Sequence, residues 1–210
     1  MTVRTLVALG LLVLLTACGT ASAPSPPAGV DELVVPTPSA DPDDYVADVD
    51  NPWFPLVPGT ESSWEVVDDR GRRRVDVSVE RAAAVGGVPV TARTTTSGAG
   101  VVVDLYAQDT DGNVWWFGRQ GEWVAGADGA EAGLAMPAEP RVGDGYRAAY
   151  ADGVVEDRVT VESREDDALV TEVRSDLEPG VVTTLTYQRG TGPVEVRRVG
   201  SGARVERLVG

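Results

Sequence analysis

From Glu61 onward, apolar and polar residues alternate in short runs separated by turn residues. Val75, Val77 and Val79 are interleaved with Asp76, Ser78 and Glu80. A period of two sends one set to a buried face and the other to water, which predicts a strand. Asp68-Asp69-Arg70-Gly71 is a turn that pairs it with a strand around Trp64 and Val66. Val88 to Thr96 follows Gly86-Gly87 and is rich in β-branched residues. Val101, Val103, Leu105 and Ala107 form a uniformly apolar set, so their face is expected to be buried. Val102, Asp104, Tyr106 and Gln108 form a mixed one. Further strands are predicted at 146–150, 154–162, 168–175, 181–188, 194–199 and 204–209, with turns such as Asp152-Gly153 and Pro179-Gly180 between them. Ala125 to Pro140 lacks alternation and reads as a long loop, with at most one helical turn. The pattern therefore predicts an all-β chain: a single antiparallel meander of about ten strands forming a curved sheet, half-barrel or barrel.

Asp109-Thr110-Asp111-Gly112-Asn113 stands between two apolar runs and marks a hairpin. Its register decides which aromatic is core. A two-residue turn at Asp111-Gly112 pairs Ala107 with Trp116. A longer loop pairs Asp109 with Asn113 and Gln108 with Val114, and then Trp115 and Phe117 join the apolar set. The longer loop buries two aromatics instead of one and is the expected register. Trp116 then lies on the opposite face with Tyr106.

The first fifty residues follow no such pattern. Arg4 precedes an apolar run from Leu6 to Leu15, too short to span a bilayer but suited to a signal peptide. It ends in Leu15-Thr16-Ala17-Cys18, which resembles the lipobox of bacterial lipoproteins. The resemblance implies cleavage after Ala17 and a lipid on the Cys18 sulfur. Residues 18–50 read as a disordered tether, with Pro24-Ser25-Pro26-Pro27 and Asp41-Pro42-Asp43-Asp44. Fully extended at about 3.1 Å per residue, it reaches about 90 Å. The expected organisation is a signal peptide at 1–17, the lipidated tether at 18–50 and a β-rich domain at 51–210. The expected location is the outer face of the bacterial cytoplasmic membrane, with the domain in the cell wall or periplasmic space.

Composition narrows the chemistry. The 210 residues carry a formal net charge of −15, with 33 acids against 18 bases, which argues against nucleic-acid partners. There is no His and no Lys, and Cys18 is the only Cys. Ser-His-Asp and Cys-His hydrolysis, Lys Schiff-base chemistry and zinc sites built on His or Cys are excluded within one chain. Asp109, Asp111 and Asn113 mimic the opening of a calcium loop, but the twelfth position is Gln120 and the flanks read as strands. A hairpin turn accounts for them, and no metal or cofactor beyond the covalent lipid is expected.

Several segments resemble an uncharacterised family of bacterial exported and lipid-anchored β-rich proteins. Asn51-Pro52-Trp53-Phe54-Pro55-Leu56-Val57-Pro58-Gly59-Thr60 is similar to an "NPYFPLxPGT" opening. Tyr106 through Gly118 is similar to "YAQDxxGNVWYFGE". Met136 through Tyr150 and Leu177 to Val182 carry further matches. Trp53 and Trp116 stand where the family has Tyr. The resemblance implies a β-rich exported domain and brings no activity with it.

The aromatic residues Trp116, Tyr106 and Trp123 are the candidate ligand-binding set. The leading expectation is a membrane-anchored, non-catalytic binding or envelope-interaction module, whose partner is an envelope protein, a glycan or a hydrophobic ligand. The alternative is a carrier with a cavity lined from Leu105, Trp115 and Phe117. A second alternative is a hydrolase using paired carboxylates.

Overall fold

The computed structural model describes residues 37–210, which form fourteen strands and no α-helix. Cys18 and the expected signal peptide lie outside the described residues. A 3-10 turn at Pro42–Asp44 leads into β1 (Tyr45–Val46). The long strands are β2 (Glu61–Asp68), β3 (Gly71–Arg81), β4 (Thr91–Ser97), β5 (Gly100–Asp109) and β6 (Val114–Arg119). A two-residue β7 (Trp123–Val124) precedes β8 (Glu131–Met136). Then follow β9 (Gly145–Ala151), β10 (Val155–Arg164), β11 (Ala168–Ser175), β12 (Val182–Gln188), β13 (Gly192–Val199) and β14 (Arg204–Leu208).

Twelve of these strands form a closed antiparallel barrel, with β1 and β7 as additions. Sequential neighbours pair around the wall, β6 passes directly to β8, and β14 returns to β2 through Leu208↔Trp64 and Arg204↔Asp68. Closure leaves no open edge in the wall. Among the curved sheet, half-barrel and barrel that the pattern allowed, the barrel is the one formed.

The register separates inside from outside, because residues directly opposite in neighbouring strands share a face. Trp64 faces Val75, Val77 faces Thr95, Arg93 faces Asp104, and Tyr106 faces Trp116. On the far wall Thr171 faces Leu185, Leu185 faces Val196, and Val196 faces Glu206. These residues point into the lumen. The outer face of β3 carries Arg72, Arg74, Asp76 and Glu80, and ion pairs such as Arg72–Glu65 at 2.8 Å and Arg174–Glu172 at 2.6 Å decorate the wall. Such a surface faces water; a lipid-facing band would set these charges in hydrocarbon.

Eight strands enclose a space that side chains fill, and twelve enclose more. The extra space is taken up in two ways. One end is closed by residues 49–60, which cross it as a plug. Asn51 is 2% exposed and anchors the crossing. Its Nδ2 donates to the carbonyls of Gly112 (2.9 Å) and Pro137 (3.1 Å), and its Oδ1 accepts from Trp53 N–H at 2.9 Å. Gln108 Oε1 accepts from the N–H groups of Asp50 and Asn51, and Gly190 N–H donates to Pro52 O at 2.7 Å. Trp53 is buried with the guanidinium groups of Arg189 and Arg164 over its ring at 5.5 and 5.9 Å. Asn51–Thr60, the hairpin at 109–113 and the stretch after Met136 thus meet at this end.

The second filler occupies the wall from β6 to β10. Trp116 and Trp123 pack edge to face at 5.0 Å, and Ala130, Ala149, Ala151 and Val155 cluster with them. Small residues on one strand make room for indoles on another.

Two expectations are corrected. The segment from Ala125 to Pro140 is not a loop, because β8 lies within it. Gly133 explains its lack of alternation. A Cβ there would fall onto the backbone of Ala148 and Ala149, so β9 approaches more closely than a side chain permits. Leu134 and Met136 are also buried, which removes the polar half of the pattern. The disordered tether does not extend to Asp50. Tyr45 and Val49 are buried, β1 pairs with β5 through Tyr45↔Asp109, and Arg81 binds Ala47 O and Asp48.

Candidate functional site

The hairpin at 109–113 sets the aromatic residues. Asp109 N–H donates to Asn113 O at 3.0 Å, Gln108 pairs with Val114 and Ala107 with Trp115, so the longer loop is present. Asp109 holds it together. Its Oδ1 accepts from the N–H groups of Asp111 and Asn113, and its Oδ2 accepts from Asn113 Nδ2 and Trp115 Nε1. Asn113 Oδ1 accepts from Ala138 N–H at 2.9 Å. The side chains of Asp109 and Asn113 are thus engaged in the turn and its neighbour.

Leu105, Trp115 and Phe117 are buried, and none of them lines either of two cavities in the lumen. They lie on the outer face of the wall, where Tyr45 covers Phe117 edge-on at 5.4 Å. The cavity that the carrier reading places on their face is on the opposite one. A bulge at Phe117 then shifts the register, so that Leu105 meets Gly118 and Asp104 meets Arg119.

Two adjoining cavities lie in the lumen on its β2–β4 and β12–β14 side. One, of about 150 Å³, is lined by Phe54, Trp64, Arg93, Tyr106, Leu185 and Glu206 among others. The other, of about 240 Å³, lies toward the plug and opens between Val57, Glu61 and Leu208. Trp64, Val77, Arg93 and Pro193 belong to both. Phe54 projects from the plug onto Tyr106 at 5.0 Å and Tyr187 at 6.4 Å. Of the three candidate residues, Tyr106 lines the cavity. Trp116 stacks behind it at 6.5 Å, and Trp123 packs behind Trp116, away from the cavity.

Polar groups in the lumen fall into two classes. Asp104 is 5% exposed and receives Arg119 Nε at 2.8 Å, while Arg119 also lies over the Trp116 ring at 5.4 Å. Glu206 accepts from Arg204 Nε at 2.5 Å. These carboxylates have partners. Arg93 is opposite Asp104, but Arg119 holds that carboxylate. Among the described residues Arg93 has no ion-pair partner, and its guanidinium makes one hydrogen bond, to Thr95 Oγ1 at 3.3 Å. Trp64 is 4% exposed and its Nε1 has no acceptor among the described residues. Burial pushes the Tyr187 hydroxyl up to about 12, and burial with the Asp104 charge pushes Tyr106 well above the usual range. Both phenols are neutral at physiological pH.

Alternation alone did not reveal Arg93, because Thr91-Ala92-Arg93-Thr94-Thr95-Thr96 has no clear apolar face. The available signal was its place two residues from Thr91 and Thr95, on a strand that pairs with Val77 and Val79.

Asp157 also faces the lumen, opposite Ser175. Burial raises its carboxyl above the usual value against a hydrogen bond with Ser175 that lowers it; Glu178 adds to the rise, and Arg119 and Arg198 oppose it. The folded chain therefore binds this proton more tightly than the unfolded one. The resulting stability is present below the unfolded value of about 3.9 and is lost as pH rises through the folded one. Asp157→Asn should raise the melting temperature at pH 7 by a few degrees, with the gain gone near pH 3. Equal melting curves for the two proteins at pH 7 would contradict the burial of this charge.

Comparisons with protein-family models, with curated proteins and with solved structures found no match to this chain.

Proposed function

We propose that this chain is a membrane-anchored, extracytoplasmic lipoprotein that binds one apolar or amphiphilic small molecule in the lumen of its barrel, without catalysis. The anchor is the lipid on Cys18. The observation that carries the reading is the unfilled half of the lumen. One wall is packed by Trp116, Trp123 and small residues, while the other keeps two adjoining cavities walled by Phe54, Trp64, Tyr106 and Leu185. Ligand sites are concave, largely apolar and marked by a few placed polar groups, and this region has all three features. It joins the two leading sequence expectations, with a binding module whose ligand is carried inside the sheet.

The reading is tested with N-phenyl-1-naphthylamine, a neutral apolar fluorophore. It should bind one molecule per chain and quench tryptophan emission. Leu185→Trp places an indole in the smaller cavity and should abolish binding while the far-ultraviolet spectrum keeps its β signature. Failure of the wild-type chain to bind, or equal binding by the filled variant, would remove the lumen as the site.

A further inference from the structure

We infer that the lumen ligand carries an anionic oxygen head, a carboxylate or phosphate on a single apolar chain, received by Arg93 and Trp64. This rests on the lumen being the binding site and specifies what enters it.

Hydrogen-bond capacity carries the inference. Guanidinium and indole N–H groups are donors and cannot accept. Arg93 and Trp64 are the two such groups shared by both cavities, and neither has its complement filled. The acceptors opposite them on the lumen wall are committed, and Glu61, at the mouth of the larger cavity, is exposed and belongs to the outward set of β2 with Ser78. Asp104, opposite Arg93, is held through Oδ1 and Oδ2 by Arg119 at 2.8 and 3.3 Å. Glu206 is held by Arg204. A buried indole N–H without an acceptor is costly, and Arg93, half-buried beside it, has one long hydrogen bond for its five donors. What completes this pair must bring oxygens with lone pairs, and preferably negative charge. A plain hydrocarbon or an ammonium group offers these donors no acceptor, and an alcohol offers one neutral oxygen without the charge that makes a hydrogen bond to a guanidinium strong.

The surroundings settle the rest of the molecule. Phe54, Tyr106 and Leu185 form an apolar wall beside Arg93 in the smaller cavity, and Leu56, Val79 and Leu208 do so in the larger. Tyr106 and Tyr187 stay protonated, so they add no competing negative charge. A charged head at the shared residues with a tail along either wall fits this division. A free inorganic anion would leave the apolar walls empty.

The experiment titrates the full chain with dodecanoate, dodecyl phosphate, dodecanol and inorganic phosphate, each displacing the neutral fluorophore. Dodecanoate or dodecyl phosphate should compete about 10- to 100-fold better than dodecanol, the range expected of one charge-assisted contact. The stronger of the two acids identifies the head group. Inorganic phosphate should not compete. Arg93→Met should remove the preference for the acid over dodecanol, and Trp64→Phe should weaken it in the same direction. The comparison among ligands needs no variant, so it stands even where a substitution harms folding. Equal competition by dodecanol and both acids in the wild-type chain overturns the inference and leaves the lumen site intact. Acid binding that survives Arg93→Met overturns it too. A wild-type chain that binds neither fluorophore nor acid overturns both readings.

Discussion

Trp115→Ala should destabilise the protein by about 3–5 kcal/mol, the cost of emptying a packed aromatic site. Trp115 is 1% exposed. Its loss removes the ring and also strips Asp109 Oδ2 of a donor at 2.8 Å, in the carboxylate that shapes the whole hairpin. Trp116→Ala should cost less, about 1–3 kcal/mol. Trp116 is half-buried in the lumen, stacked on Tyr106 and donating to Gly118 O at 2.8 Å. Its removal should also loosen the wall behind Tyr106 and weaken fluorophore binding, which Trp115→Ala should not do in the fraction that stays folded. Urea denaturation of the two variants gives the ranking. A reversed order would show that the hairpin uses the two-residue turn, with Trp116 in the position now held by Trp115.

That hairpin shows what the sequence makes legible. Its register followed from one energetic comparison, two buried aromatics against one, and the pairing Gln108↔Val114 agrees. The strands with clean alternation were equally readable, because each has one wet face. Val75, Val77 and Val79 are buried and Asp76 and Glu80 are not. Reading failed at the end of a strand that nothing covers and where a cavity replaces the core. Tyr45 and its neighbours cover the outer face of β5 and β6, so the set with Leu105 is buried against them, while Val101, beyond their reach, is 62% exposed. The mixed set with Tyr106, which alternation left undecided, faces the lumen. β8 escaped notice because Gly133 and its alanines are selected by close approach, which leaves no periodicity. Arg93 was invisible for a related reason. A barrel wide enough to hold ligand tolerates Arg, Thr and Glu on its inner wall, and the period-two signal of a packed core fades there.

The same reasoning fixes where the folded part of the chain begins, and here a truncation tests it. A chain starting at Asp50 should melt about 10 °C or more below one starting at Thr37. Composition alone places 37–49 in the tether, since Pro and Asp dominate it. The structure gives those residues work. Tyr45 lays its ring against Phe117 and donates from its hydroxyl to Ser39 O at 3.0 Å. Thr110 N–H donates to Asp44 O at 2.8 Å, which ties this segment to the hairpin, and Leu56 N–H donates to Val49 O, which ties it to the plug. Deleting a buried Tyr and a buried Val removes about 4 kcal/mol or more of packing. For a domain of this size each kilocalorie is worth about 2–4 °C. The shorter chain also uncovers Phe117 on the outer face, so it should bind the neutral fluorophore at a second site that Leu185→Trp does not block. Coincident melting curves would return residues 37–49 to the tether. A lower melting temperature with the extra site would show that burial of Tyr45 outweighs the composition around it, and that the barrel is sealed from its outer face as well as from its plugged end.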